Sequence, residues 1–148
     1  IAEEYFEAAF GKDGTLVGEC LAKLSQIFEP LFSGNGKVLN DAEFYKNLLN
    51  LYDIIYEFEP VIERNLGNAD TNQCIRNSWE YLKLHKDICI NMVKAFRAIR
   101  EGDFVESNEY WNNIKVMIQQ REDEIQTVLD VFLFIRTLEP IFTVDKRF

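Results

Sequence analysis

An unbroken apolar seam between positions 44 and 62 restricts what this chain can fold into more than any other feature of its sequence. Its large apolar residues recur at alternating intervals of four and three, the period of one face of an α-helix. They are Phe44, Leu48, Leu51, Ile55, Phe58 and Ile62. A second stripe lies beside the first and consists of Tyr45, Leu49, Tyr52 and Tyr56. Two stripes make an apolar face that is too broad for an isolated coiled coil, so the pattern predicts a bundle helix that contacts two neighbours. Asn40 with Glu43 is the predicted capping box at its start.

Two later segments follow the same pattern. One carries Leu82, His85, Cys89, Met92, Phe96 and Ile99. Asp70 with Gln73 is a predicted cap for its start, and Gly102 is placed for a left-handed stop after its end. The short turn to Asp103 predicts that the next helix runs back antiparallel, and Asp103 with Glu106 forms another capping box.

The last seam starts at Phe104 and recurs every seven residues as far as Phe132, reaching about Leu138. A helix over that whole length would be some 50 Å long, so we expect a bend or break at the charged run 121–124. The first thirty residues predict two pieces: a helix over Ala2–Phe10 ended by Gly11, and a second helix that carries Leu16, Cys20, Leu24, Ile27 and Phe28. A loop is predicted from Leu31 to Val38.

Proline follows glutamate at three positions within these patterns. Pro30 and Pro140 fit helix ends, and Pro60, inside the clearest seam, predicts a kink, because proline removes a backbone donor and clashes with the preceding turn. Together the patterns predict an all-α fold, an antiparallel bundle of about four principal helices with a split first helix. At 148 residues we expect one helical domain over 1–148. The start at Ile1 rather than a methionine favours a piece of a longer chain.

The charge argues against two classes of partner. Asp and Glu number 25 against 16 Lys and Arg, a formal charge of −9, and the basic residues form no cluster that would bind a nucleic-acid backbone. Anionic membrane surfaces are disfavoured for the same reason.

No stretch of the sequence has the roughly 20 consecutive apolar residues that a membrane span needs, so we expect a soluble protein. Three cysteines and an acidic N-terminus without signal-peptide character favour a cytoplasmic compartment.

The candidates for chemistry are few. His85 and Cys89 lie four residues apart on one helix face, a spacing that suits two metal ligands, but neither a second histidine nor a Cys-x-x-Cys pair accompanies them. We therefore interpret His85 as a core or half-buried residue and the cysteines as small hydrophobic residues. No catalytic residue, cofactor or metal is predicted.

Aromatic residues remain as a candidate interaction surface. Twelve Phe, six Tyr and two Trp exceed what a minimal bundle needs. Most aromatics at helical spacing belong to the core, but exposed Tyr and Trp can stack on sugars or anchor a protein partner. The predicted positions of an exposed cluster are Tyr45, Tyr52, Tyr56, Tyr110 and Trp111.

Two stretches carry a resemblance to a known kind of protein. The first is YFEAAFGKDGTLVGECLAKLS, residues 5–25, and the second is SWEYLKLHKDIC, residues 78–89, followed by the Glu101-Gly102-Asp103 turn and the helix of Trp111. They resemble the C-terminal helical domain of bacterial multidomain glycoside-hydrolase-like proteins, in which a (β/α) barrel precedes a helical region. α-Glucuronidases and β-hexosaminidases are related to that family in organisation. The barrel's catalytic acids have no matching positions in this chain.

The resemblance implies a non-catalytic accessory domain that packs against a carbohydrate-active catalytic domain of the same polypeptide. The fragment alone is then not an enzyme, although its parent protein acts on glycans. Two alternatives stay open: a stand-alone helical module that binds a protein partner, and a bundle that binds a metal or small molecule through His85 and Cys89.

Overall fold

A computed structural model describes residues 2–33, 41–68 and 70–121 of the chain. The described elements are α1 (Ala2–Phe10), a 3₁₀ turn (Gly11–Asp13), α2 (Gly14–Ser33), α3 (Ala42–Leu66), α4 (Gln73–Arg100) and α5 (Phe104–Gln120). The predicted fold class is confirmed: residues 2–33, 41–68 and 70–121 form an all-α bundle of four principal helices, the first of which is split into α1 and α2. No helix among the described residues combines the length and apolarity that crossing a membrane requires.

Helix α3 buries the predicted seam. Phe44, Leu48, Leu51, Ile55 and Ile62 are all core residues, and the helix continues through Pro60 to its end. The predicted capping box is wrong in its first residue, because the N-cap is one position later. The carboxylate of Asp41 accepts a hydrogen bond of 2.9 Å from the amide of Glu43. An Asp at that position satisfies a free amide of the first turn as well as Asn40 would.

The ends of α2 and α4 differ from the prediction in a similar way. The residues from Leu31 to Ser33 belong to α2 rather than to a loop, so Pro30 lies within its last turn, and positions 34–38 of the predicted loop lie outside the described residues. The N-cap of α4 is Asn72, not Asp70: its side-chain oxygen accepts a bond of 2.9 Å from the amide of Ile75.

A tight turn joins α4 to α5, as predicted. Gly102 has φ of 80°, the left-handed conformation that favours glycine. The carboxylate of Asp103 then accepts a 3.0 Å bond from the amide of Glu106 and caps α5. The described part of α5 ends at Gln120, and Arg121 is no longer in the helical conformation. This is the position at which the charged run 121–124 predicts a bend or break. The predicted seam beyond it, with Pro140, lies outside the described residues.

The core has two parts. The larger lies among α2, α3, α4 and α5, and the smaller is built around Val17, Ile62, Trp79 and Leu82. The fully buried indole of Trp79 donates a hydrogen bond of 3.0 Å to the carbonyl oxygen of Phe10, at the end of α1. Its ring also meets the Phe10 ring edge to face, with centroids 5.3 Å apart. Trp79 therefore attaches the short α1 helix to α4.

A polar contact fixes the joint between α1 and α2. The carboxylate of Asp13 accepts bonds from Arg64 Nη2 at 2.7 Å and from Asn65 Nδ2 at 2.8 Å, both near the end of α3. These two bonds lower the pKa of Asp13, because they stabilise its charged form. Asn65 uses its second donor on the carbonyl of Val61 at 2.8 Å, so this buried amide is well satisfied.

Candidate functional site

An apolar cleft of about 380 Å³ lies between α1, α2 and α4. Its walls are mainly aromatic and aliphatic, and they include Tyr5, Phe6, Phe10, Leu21, Tyr81 and Ile88. Ser78 and His85 are polar groups on the same walls. A concave, largely apolar surface with a few polar groups is the usual form of a binding site.

The cleft owes its shape to a close approach between α1 and α2. A Cβ atom on Gly14 would lie 2.3 Å from the carbonyl oxygen of Phe6, so only glycine fits where the two helices touch. The chain reverses between them at Gly11, whose φ of 79° is again left-handed. Gly18 lies one turn further along α2, against the Phe6 ring. A Cβ atom on Gly18 would be 3.0 Å from the nearest carbon atoms of that ring. These glycines hold α1 folded back on α2 as the outer wall of the cleft.

His85 is exposed in this cleft, so the prediction that it is a core or half-buried residue is wrong. Its Nδ1 atom lies 3.4 Å from the Sγ atom of Cys89, as the spacing of the two residues predicts. The neighbouring helices nevertheless exclude part of the water from around the ring. This desolvation lowers the pKa of His85, because it disfavours the charged imidazolium.

Two of the three cysteines are buried, as their interpretation as small hydrophobic residues predicts, and the third is not. Cys20 and Cys89 are buried and Cys74 is exposed, and none of the three forms a disulfide. Burial raises the pKa of Cys89 to about 12 and also raises that of Cys20. A thiol that stays protonated is a poor metal ligand and a poor nucleophile. Among the residues that the structure describes, no group of three His, Cys, Asp or Glu side chains is placed to hold a metal ion.

The five predicted surface aromatics do not form one exposed cluster. Trp111 is completely buried and Tyr45 is 6% exposed, so the prediction is wrong for these two. Both lie on the inner face of their helices and pack in the larger core. Tyr52 and Tyr110 are half-buried, and Tyr56 is 78% exposed on α3.

The residues that matter most for the cleft are not among those predicted from the sequence. Tyr5 is 68% exposed at its rim, and Phe6 and Phe10 line its wall. The available signal was the high aromatic content of a nine-residue helix followed by a glycine. Such a short helix is not stable alone, so its apolar face needs a partner surface.

Comparison of the chain with protein-family models, with curated proteins and with solved structures gives no match in any of the three.

Proposed function

We propose that this chain is a non-catalytic helical accessory domain that packs against another protein domain and receives apolar side chains of that domain in the α1–α4 cleft. The observation that carries the proposal is the cleft itself, which presents aromatic walls to solvent. Its volume of about 380 Å³ suits one or two large side chains of a docking segment rather than an extended polar substrate. A partner anchored by such side chains follows the usual pattern of protein interfaces, in which a few buried anchors supply most of the binding energy.

Charge adds a second requirement for the partner. The chain carries a formal charge of −9, so a partner with basic residues around its apolar anchor would be attracted at long range. His85 stays neutral in the cleft near neutral pH, because its pKa is lowered, and it therefore does not oppose an apolar guest. The expected partner surface is apolar at its centre and basic at its edge.

The resemblance to helical domains of glycoside-hydrolase-like proteins supports a specific partner. Its two stretches, residues 5–25 and 78–89, are the same stretches that line the cleft, through α1 and α2 on one side and α4 on the other. In the proposed arrangement the partner is the barrel domain of the same polypeptide, and this chain completes the rim of that domain.

A site-specific photocross-link tests the proposal. The photoreactive residue p-benzoylphenylalanine replaces Tyr5 at the cleft rim, or Tyr56 on α3 as the matched control, in the full-length gene product expressed in its own host. Both positions hold exposed tyrosines, so neither replacement disturbs the core. We expect a cross-linked product from position 5 that position 56 does not give, with its second site on another domain.

The identity of that second site separates the alternatives. A cross-link to a barrel domain of the same polypeptide supports the accessory domain, and a cross-link to a separate protein supports the stand-alone interaction module. If positions 5 and 56 give the same products, or neither gives any, the cleft is not a docking site and the proposal is wrong.

A further inference from the structure

A second concave surface lies at the other end of α4 and shares no residue with the cleft. It has a volume of about 430 Å³ and lies between the start of α3 and the end of α4. Three of its side chains are cationic, Lys46, Arg97 and Arg100, and one is acidic, Glu101. We call these residues and the adjoining Tyr45 the basic pocket.

Among the residues that the structure describes, no carboxylate pairs with the three cations of the basic pocket. Within the described ranges the ion pairs are made by Arg64 and Lys86, and none involves Lys46, Arg97 or Arg100. This is unexpected in a chain with nine more acidic than basic residues, where carboxylates are plentiful. Three positive charges and one negative charge leave a formal surplus of two at the pocket.

Tyr45 supplies an independent observation. It is 6% exposed and lines the basic pocket, yet its hydroxyl group has no hydrogen-bond partner in the part of the chain that the structure describes. A buried hydroxyl without a partner costs about 1–3 kcal/mol, so its retention calls for an explanation. The guanidinium of Arg100 lies over the same ring, 4.6 Å from its centroid, which holds that cation at the pocket wall.

The end of a helix ordinarily repels anions, because its last carbonyl groups are unpaired. Here the amides of the following turn cover them. Glu101, Gly102 and Asp103 donate to the carbonyls of residues 97, 99 and 98 at 3.0, 3.0 and 2.9 Å. Three of the last carbonyl groups of α4 are therefore hydrogen-bonded, and the positive charge at the pocket comes from its lysine and two arginines.

We propose that the basic pocket binds a phosphate monoester. The formal surplus of two positive charges matches its charge near neutral pH, which is about −1.5 to −2. Arg97 and Arg100 would hold the phosphate oxygens, since the guanidinium group fits them with paired hydrogen bonds, and Lys46 would add a point charge. Leu49, 47% exposed, would contact the organic part of the ligand beside the Tyr45 ring.

Isothermal titration with phenyl phosphate tests the site on the whole chain. Phenyl sulfate serves as the control ligand, because it has the same shape and a single charge, and sodium chloride keeps the ionic strength equal. At about pH 7.5, where a phosphate monoester is dianionic, we expect a Kd below about 1 mM for the phosphate. The sulfate should bind at least about tenfold more weakly, and phosphate affinity should fall as the pH drops through about 6. A short phosphoserine peptide is the third ligand to be titrated. If it binds more tightly than phenyl phosphate, the phosphate group that the pocket binds belongs to a phosphorylated protein.

Three variants locate the binding. Arg97→Gln and Arg100→Gln should each weaken phenyl phosphate binding about tenfold or more, since a charge-assisted hydrogen bond is lost. Arg76→Gln is the matched control on the same helix, some 30 Å away at 1.5 Å per residue, and should bind as the parent does. The two pocket arginines are exposed, so neither change threatens the fold.

Equal affinities for phenyl phosphate and phenyl sulfate, no binding of either, or equal loss in all three variants would overturn the assignment. None of these results bears on the α1–α4 cleft, because the two surfaces have no residue in common.

Discussion

Replacing Gly14 by alanine is the sharpest test of how the cleft is built. Gly14 begins α2 with φ of −59° and ψ of −37°, a conformation that alanine adopts without strain. The only obstacle is space, because the new Cβ atom would lie 2.3 Å from the carbonyl oxygen of Phe6 and 2.7 Å from the amide nitrogen of Glu7. Both are backbone atoms, which cannot rotate aside as a side chain can. The substitution therefore pushes α1 away from α2.

The size of the effect follows from the contact distance. An ordinary non-bonded contact is about 3.5 Å, so α1 must move by about 1 Å. Overpacking of this kind costs about 1–3 kcal/mol, and alanine returns about 0.5–1 kcal/mol relative to glycine within a helix. We expect Gly14→Ala to lower the free energy of unfolding by about 0.5–2 kcal/mol, the difference between the lower values and between the upper values of these two terms.

Urea denaturation and NMR spectroscopy of the two tryptophans measure the result. The indole N–H of Trp79 donates to Phe10 at the end of α1, whereas Trp111 lies among α2 to α5. We expect the Trp79 indole resonance to move in Gly14→Ala and the Trp111 resonance to stay. Gly67→Ala is the matched control, since its Cβ would lie 3.3 Å from its nearest neighbour, a carbonyl oxygen of its own helix. A Gly14→Ala protein as stable as its parent, with an unmoved Trp79 resonance, would refute the described packing of α1.

Three further outcomes are expected. First, the free energy of unfolding falls as the pH drops below about 6.5. The pKa of His85 is lower in the folded chain than in the unfolded chain, so the unfolded chain binds the proton first and is favoured by acid. Urea denaturation at a series of pH values measures this fall. Second, a thiol reagent modifies Cys74 alone in the native protein, since Cys20 and Cys89 are buried and protonated; absorbance counts the thiols. Third, Tyr45→Phe raises the free energy of unfolding by about 1 kcal/mol, measured in urea, because it removes a buried hydroxyl that has no partner among the described residues.

Each of these outcomes has its own control. His85 is the only histidine, so His85→Gln should abolish the pH dependence near neutrality, and persistence of that dependence would contradict its assignment. Asp13 does not interfere, because its lowered pKa stabilises the folded chain near neutral pH, and that contribution is lost only in the acid range around and below its ordinary pKa of 3.8. Cys74→Ser should leave no fast-reacting thiol, and two or more in the parent would contradict the burial. A Tyr45→Phe protein less stable than its parent would mean that the hydroxyl has a partner.

The helices were predictable because their seams are long. The α3 seam repeats for five turns, and its burial follows directly from that period. The cap positions were predictable only to within one or two residues. Asn40 and Asp41, or Asp70 and Asn72, are chemically equivalent choices, and the chain geometry around them decides which one caps the helix.

The cleft was not predictable, because it depends on contacts between distant parts of the sequence. The bond from Trp79 to Phe10 joins residues 69 positions apart, and no local pattern marks it. The burial of Trp111 and Tyr45 has a related cause. Both residues fit a half-exposed stripe in sequence, and only the packing of α3 and α5 against α4 decides that they face inward.

The central claim is that another protein domain covers the cleft, and hydroxyl-radical footprinting of two tyrosines tests it most directly. Tyr5 at the cleft rim is 68% exposed and Tyr56 on α3 is 78% exposed, so the isolated chain should be oxidised at similar rates at both. In the full-length gene product from its own host, we expect oxidation of Tyr5 to fall severalfold while that of Tyr56 is unchanged. Equal oxidation of the two tyrosines in the full-length protein would contradict the claim.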